Sequence, residues 1–236
     1  MERVDDLQYK GLKIIQSDEL FSFGTDAVLL AGFAEVGPKD ALCDFGCGTG
    51  ILSVLLSAEK PRAQYAVEIQ EKAAELARRN MELNDIDCRV MTADIKDAPS
   101  LFTGVTVIVC NPPYDPEGAG EIQESETVRI ARHEVMITLD GICAAAGRLL
   151  GTGGRIYMIH RARRAADVIC AMRKYRLEPK TIRFVAAKSG DEAGFLLIKA
   201  VKDGKSGLSV LPGLIIHKAD GSYTDEVRGI YHMEVE

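Results

Sequence analysis

A chain of 236 residues, 47% hydrophobic and 6% aromatic, has enough apolar material for a full core and needs no disulfide or metal staple. No apolar run approaches the roughly 20 residues that span a bilayer, and the acidic start, Met1 to Asp6, is no signal peptide, so a cytoplasmic protein without a membrane segment is expected. The net charge of -6 excludes a uniformly basic nucleic-acid binder, and six scattered cysteines (Cys43, Cys47, Cys88, Cys110, Cys143, Cys170) with no CxxC pair are expected to be reduced core residues, with no metal site.

Leu7 to Ile15, with Lys10 and Gly11 at its middle, reads as a short hairpin. Phe23, Gly24, Thr25 and Asp26 then form a polar turn that opens an apolar helix over Ala27 to Ala31. Ala41 to Phe45 is the first core strand. It runs into Asp44, Gly46, Gly48 and Gly50 on alternate positions before Ile51, Leu52, Val54, Leu55 and Leu56 open a helix. Strand, glycine-rich turn and helix in succession make a nucleotide-type cofactor unit, because glycine lets the backbone approach a ligand closely. The spacing differs from G-x-G-x-x-G, and the carboxylate beside the turn would repel a pyrophosphate while attracting an amino group or a sulfonium. S-adenosyl-L-methionine carries both.

The second strand, Gln64 to Val67, ends at Glu68, 24 residues after Asp44, where an acid can accept hydrogen bonds from both ribose hydroxyls. An amphipathic helix follows, with Ile69, Ala73, Leu76, Ala77 and Met81 on one face. Cys88 to Thr92 is the third strand. Asp94 beyond it reads either as a turn cap or as an acceptor for an adenine amino group.

Val105 to Cys110 is a β-branched apolar run that stops at Asn111, Pro112, Pro113 and Tyr114, so it predicts a buried parallel strand with a distinctive tip. Prolines offer carbonyl acceptors from a stiff backbone without competing donors, Asn111 adds a side-chain acceptor, and Tyr114 adds a ring face. Together they suit a planar substrate bearing an NH2 group, although two adjacent prolines also make an ordinary turn. Asp115 to Val128 is polar and reads as a substrate loop, and His133 lies in the stretch that follows.

Leu139 to Leu150 predicts a helix, Arg155 to Ile159 the fifth strand, Ala165 to Tyr175 a helix, and Thr181 to Ala187 with Gly194 to Val201 an antiparallel edge pair. From Arg148 to Lys188 eleven basic residues face only Asp167 and Glu178, a net +9 that leaves -15 to the rest of the chain. Such asymmetry fits one phosphate-facing surface, and equally a solvated helix face. The expected organisation is an accessory hairpin and helix over 1–36, a core over 37–203, and a C-terminal arm over 204–236.

With the Asp44 to Gly50 loop, Glu68, Asp94 and Asn111-Pro112-Pro113-Tyr114 in this order on successive strand ends, the chain resembles the class I S-adenosylmethionine-dependent methyltransferases. That resemblance implies an α/β, Rossmann-like fold: a seven-stranded, mostly parallel sheet with an antiparallel edge pair and helices on both faces. The Asn-Pro-Pro-Tyr form is similar to enzymes that methylate a conjugated nitrogen: adenine N6 in nucleic acid, guanine N2 in rRNA, or the glutamine amide of release factors. The Phe23 to Asp26 turn and the stretch Arg132, His133, Glu134 resemble the small bacterial tRNA adenine-N6 methyltransferases acting on adenosine-37 of a valine tRNA. The resemblance implies that Asp44, Gly46, Gly48 and Gly50 hold the methionine end, Glu68 the ribose and Asp94 the adenine, with Thr25 and Asp26 closing over the methionine moiety. Asn111 and the Pro112 carbonyl would accept the target NH2, and Pro113 and Tyr114 would line the base. Arg161, Arg163 and Arg164, on a surface running to Arg183, would meet the tRNA backbone.

Overall fold

The computed structural model describes residues 1–20, 23–113 and 138–233. The chain begins with an antiparallel hairpin, β1 (Glu2–Asp6) and β2 (Lys13–Ser17), with Val4 opposite Ile15. Only the start of β2, Lys13 to Ile15, lies within the segment expected from sequence, and β1 precedes it. Residues 7–12 are the connection, closed by Leu7 N to Leu12 O (3.0 Å) and Leu12 N to Tyr9 O (2.9 Å), with Gln8, Lys10 and Gly11 at positive φ. A local turn signal was visible there, whereas the charged strand β1 carries no apolar alternation to betray it.

Helix α1 (Thr25–Phe33) leads to β3 (Ala41–Phe45), α2 (Ile51–Ser57), β4 (Ala63–Glu68), α3 (Glu71–Leu83) and β5 (Cys88–Thr92). A short helix α4 (Ala98–Leu101) precedes β6 (Val107–Cys110), and α5 (Leu139–Leu149), β7 (Arg155–Arg161) and α6 (Ala165–Lys174) complete the alternation. Then come β8 (Leu177–Ala186), β9 (Ala193–Lys202), two-residue strands β10 (Ser209–Val210) and β11 (Leu214–Ile215), and α7 (Asp225–Ile230).

The main sheet runs β5-β4-β3-β6-β7-β9-β8. Its first five strands are parallel, and β9 lies antiparallel between β7 and β8. This is the seven-stranded sheet expected from sequence. It is extended by two strands that were not, because β10 and β11 pair in parallel with β8. The apolar stretch after Leu208 therefore adds to the sheet edge. Strands β3 and β6 are buried at every position, which is why they read as unbroken apolar runs.

Alternate residues feed two cores. On one face Phe45, Ile108, Cys110 and Met158 pack with Ile142 and Cys143 of α5 and with Val168 and Met172 of α6. On the other, Leu42, Val107, Val109 and Tyr157 pack with Leu29 and Leu30 of α1, Leu52 of α2 and Val227 of α7. The strand order reverses between β3 and β6, which opens a crevice beyond their carboxyl ends, the usual place for ligands in such sheets. No helix among the described residues is long and apolar enough to cross a membrane.

Candidate active site

Phe45 is level with Cys110 on one side and Val67 on the other, so Gly46, Asn111 and Glu68 are the next residues outward on three neighbouring strands. Adjacent strands lie about 4.8 Å apart, so the three tips share one rim.

The glycine turn is shaped by backbone requirements. Gly46, Gly48 and Gly50 have φ of +69°, +54° and +90°, a left-handed region that side chains resist. At Gly50 a Cβ would also meet Met81 Cε at 2.7 Å, so α3 packs directly against the turn. Gly46 N and Cys47 N donate to Val67 O (2.9 and 3.1 Å), which ties the loop to β4. Glu68 completes the tie: Oε2 accepts Gly48 N and Oε1 accepts Gln70 N, each at 2.9 Å. Each oxygen keeps a second lone pair, the capacity a diol needs.

Asp44 lies beneath the loop and is fully buried. Its Oδ2 accepts Ser53 Oγ (2.8 Å) and Ser53 N (3.2 Å), while the buried Oδ1 has no partner. Burial pushes its carboxyl up to about 7, Ser53 opposes that shift, and the Glu68 charge adds to it. An acid pair with an orphaned buried acceptor fits an ammonium and hydroxyl-bearing ligand and disfavours a pyrophosphate, so the residues present fit S-adenosyl-L-methionine. Ser53 escaped sequence reading because nothing marks it apart from other helix-opening polar residues.

Asp94 caps the turn Ile95–Asp97, its Oδ1 accepting Lys96 N at 2.9 Å, and Oδ2 sits 3.4 Å from Lys96 Nζ. The turn-cap reading is met by these contacts.

Asn111 is half-buried, Pro112 buried and Pro113 exposed. Asn111 Nδ2 donates to Asp26 Oδ2 at 3.1 Å, and Asp26 Oδ1 accepts Ala27 N at 2.9 Å at the start of α1. The structure thus brings Asp26 to the Asn111 tip. Thr25 is the first residue of α1. Tyr114 and His133 lie outside the described residues.

Arg161 ends β7 and Arg163 and Arg164 follow it, and the register of β7 with β6 puts this carboxyl end on the same rim as Asn111. Arg161 lies over the Phe195 ring, 4.9 Å from its centroid, and Arg164 pairs with Asp167. The wider basic segment does not form one surface. Arg155 pairs with Asp40, Lys174 with Asp140, Arg176 with Asp203 and Arg183 with Glu226, so acids from elsewhere in the chain answer cations that look unopposed in sequence. Arg183 is thus answered by Glu226, as Arg164 is by Asp167.

One further residue was missed. Asn80, completely buried on α3, accepts Ile15 N (2.6 Å) and donates to Ile15 O (3.2 Å) and Thr49 O (2.9 Å). Asn84 repeats the pattern on Lys13 N and O, both at 2.8 Å. The pair holds β2 much as a neighbouring strand would and links it to the glycine turn. A polar residue four positions from another, on an otherwise apolar stripe with Ala73 and Ala77, was the available signal. Among the described residues no group of three or more His, Cys, Asp or Glu side chains could hold a metal ion.

Residues 13–174 match the family model described as methyltransferase small domain. The chain is 29% identical over 206 residues to the tRNA1(Val) (adenine(37)-N6)-methyltransferase of Aeromonas hydrophila, covering 86% of this chain and 85% of that protein. It is 30% identical over 236 residues to the enzyme of the same name from Porphyromonas gingivalis, covering 94% and 91%. Among solved structures, a predicted O-methyltransferase, Atu636 from Agrobacterium tumefaciens, aligns with a TM-score of 0.71 at 22% identity over 88% of this chain and 95% of that one. Geranyl diphosphate C-methyltransferase from Streptomyces coelicolor, solved with S-adenosyl-L-homocysteine, aligns at 0.52 and 18% identity over 75% and 77%. These structural likenesses establish the fold, a Rossmann-like class I methyltransferase sheet.

Proposed function

The chain belongs to the methyltransferase small domain family, and from that membership we propose that it methylates the exocyclic N6 of an adenine in tRNA, with anticodon-loop adenosine-37 the position its relatives' names carry. The observation that carries the reading is the Asn111 amide, whose NH2 edge is committed to Asp26, beside a glycine turn flanked by two buried acids.

Bound at that turn, S-adenosyl-L-methionine supplies an electrophilic methyl carbon on a sulfonium. The chain's own part is to bind and to orient. The loop amides and Glu68 fix the turn, and the orphaned Asp44 oxygen favours an ammonium. A carboxylate accepts and cannot donate, so the amide face turned to Asp26 must be Nδ2, and Asn111 Oδ1 lies on the opposite edge. Oδ1 and the Pro112 carbonyl then accept the two N-H groups of the target amine. Holding both draws the nitrogen toward a pyramidal geometry with its lone pair out of the base plane, and no general base is required if the proton leaves after the new bond forms. A base stacked in a loop must first be extruded, which costs a few kcal/mol and is offset by stacking and edge contacts. Arg161, Arg163 and Arg164 would meet the phosphates around it. The proposal makes this a cytoplasmic enzyme with tRNA as partner and no metal.

Incubation with tritium-labelled cofactor and, separately, total RNA and total protein tests the reading. Label in the tRNA fraction is expected. Label in a release factor with none in RNA would replace it with glutamine methylation.

A further inference from the structure

We infer that Asn80 is a positioning residue for the cofactor: its buried amide selects one orientation of the Thr49–Gly50 peptide in the glycine turn, and the N-terminal hairpin holds that amide in place. This rests on the reading of the turn as the S-adenosyl-L-methionine site. Asn80 acts through the turn and not on the ligand itself.

Glycine alone leaves the turn underdetermined. Gly48 and Gly50 sit at φ of +54° and +90° on either side of Thr49, and a residue without a Cβ accepts the opposite sign of φ about as readily. The peptide between Thr49 and Gly50 can therefore rotate unless both of its polar groups are held. Gly50 N donates to Cys47 O at 2.8 Å, a bond within the turn. Thr49 O is held from outside, accepting Asn80 Nδ2 at 2.9 Å. The amide four residues on, Ser53 N, stands where an α-helical donor to that carbonyl would be, yet it donates to Asp44 Oδ2 at 3.2 Å. Asn80 thus takes up the carbonyl that the Asp44 contact leaves behind. The two edges of its amide are fixed by their partners. Ile15 N can only donate, so Oδ1 faces it at 2.6 Å, and Nδ2 faces the carbonyls of Ile15 (3.2 Å) and Thr49. Asn80 is completely buried and Thr49 only 8% exposed, so no solvent is at hand to replace a lost bond. The hairpin secures the amide from the other side. Asn84, one helical turn on, brackets Lys13 N and O, both at 2.8 Å, and donates to Asn80 O at 2.7 Å. Arg79 grips both carboxylate oxygens of Glu2, at 2.8 and 2.7 Å.

Asn80→Ala removes the donor to Thr49 O. Asn80→Leu removes it while filling the space, and serves if the cavity left by alanine prevents folding. Asn84→Ala is the control, because it removes equivalent hairpin contacts without touching Thr49. Each is measured for S-adenosyl-L-methionine Kd by calorimetry, for kcat and cofactor KM in tRNA methylation, and by thermal melt. With the carbonyl released, only a fraction of the ligand-free molecules holds the binding-competent turn, and the apparent Kd rises by the inverse of that fraction. Cofactor Kd and KM about five- to fiftyfold higher are expected in the Asn80 variants, with kcat at saturating cofactor within about twofold of the native value. Asn84→Ala should lower the melting temperature and leave cofactor Kd within about twofold of native. A purely structural role for Asn80 would appear in the melt and leave the Kd of folded molecules unchanged. Cofactor Kd unchanged in the Asn80 variants, or weakened equally in Asn84→Ala, would overturn the role of Asn80 while leaving the turn its ligand. A native chain with no affinity for S-adenosyl-L-methionine would overturn the reading of the turn, and this role with it.

Discussion

Asn111 Nδ2 donates to Asp26 Oδ2 at 3.1 Å, joining a strand tip to a helix start 85 residues earlier in the chain. The contact decides which edge of the amide is which. It turns a residue type that could present either a donor or an acceptor into one whose amide nitrogen faces Asp26.

Asn111→Ala removes the acceptor, and an amine N-H left without one costs about 1 to 3 kcal/mol, so turnover should fall about 5- to 150-fold with cofactor affinity intact. Asp26→Asn should act in the same direction. Its amide has one acceptor for two N-H donors, Ala27 N and Asn111 Nδ2, so one contact is lost. Steady-state tRNA methylation together with calorimetry checks both variants. A weakened cofactor Kd with normal turnover in Asp26→Asn would return Asp26 to a role on the methionine moiety.

Asp44 should make cofactor affinity depend on pH. Its carboxyl is raised from 3.8 to about 7, chiefly by burial, so an ammonium ligand, which prefers the charged form, should bind about tenfold more tightly at pH 8 than at pH 6. The ligand-free protein should show the opposite sign. Between about pH 4 and 7 the folded chain holds a proton that the unfolded chain releases, so this group's contribution to stability falls as pH rises and levels off above about 7. Asp44→Asn should flatten both profiles. Calorimetry and thermal melts across pH 5 to 8.5 measure them, and a flat affinity profile for the native chain would remove Asp44 from cofactor binding.

Glu68→Gln is nearly isosteric yet should be costly. Gly48 N and Gln70 N each occupy a different carboxylate oxygen, and an amide offers only one. The turn loses an anchor worth about 1.5 to 3 kcal/mol, because charged acceptors make the stronger hydrogen bonds. S-adenosyl-L-methionine Kd should rise at least about tenfold, measured by calorimetry, while tRNA affinity is unaffected.

Arg161→Glu with Arg163→Glu should weaken tRNA binding and make it less sensitive to salt, with cofactor binding unchanged. Each phosphate contact removed lowers the slope of log affinity against log salt by about 0.7 to 0.9. Filter binding from 50 to 300 mM salt gives the slope, and an identical slope would move the RNA surface elsewhere.

The parallel core was legible because β3 and β6 are buried on both faces and therefore apolar throughout, and because three left-handed turn positions demanded glycine at Gly46, Gly48 and Gly50. The chemistry of the Asn111 tip was legible as residue types. What was not legible depends on contacts distant in sequence. Nothing local shows that Arg183 is answered by Glu226 or that Asn80 holds Ile15 and Thr49. The strands β10 and β11 are two residues each, too short for an alternation pattern to register.

The central claim is that the Asn111 tip presents an adenine amine for methylation. Its most direct measurement is mass spectrometry of nucleosides from an unmodified valine tRNA transcript, after incubation with S-adenosyl-L-methionine and either the native chain or Asn111→Ala. N6-methyladenosine with the native chain, strongly reduced with the variant, is predicted. N2-methylguanosine, no methylated nucleoside at all, or equal N6-methyladenosine from both proteins would contradict it.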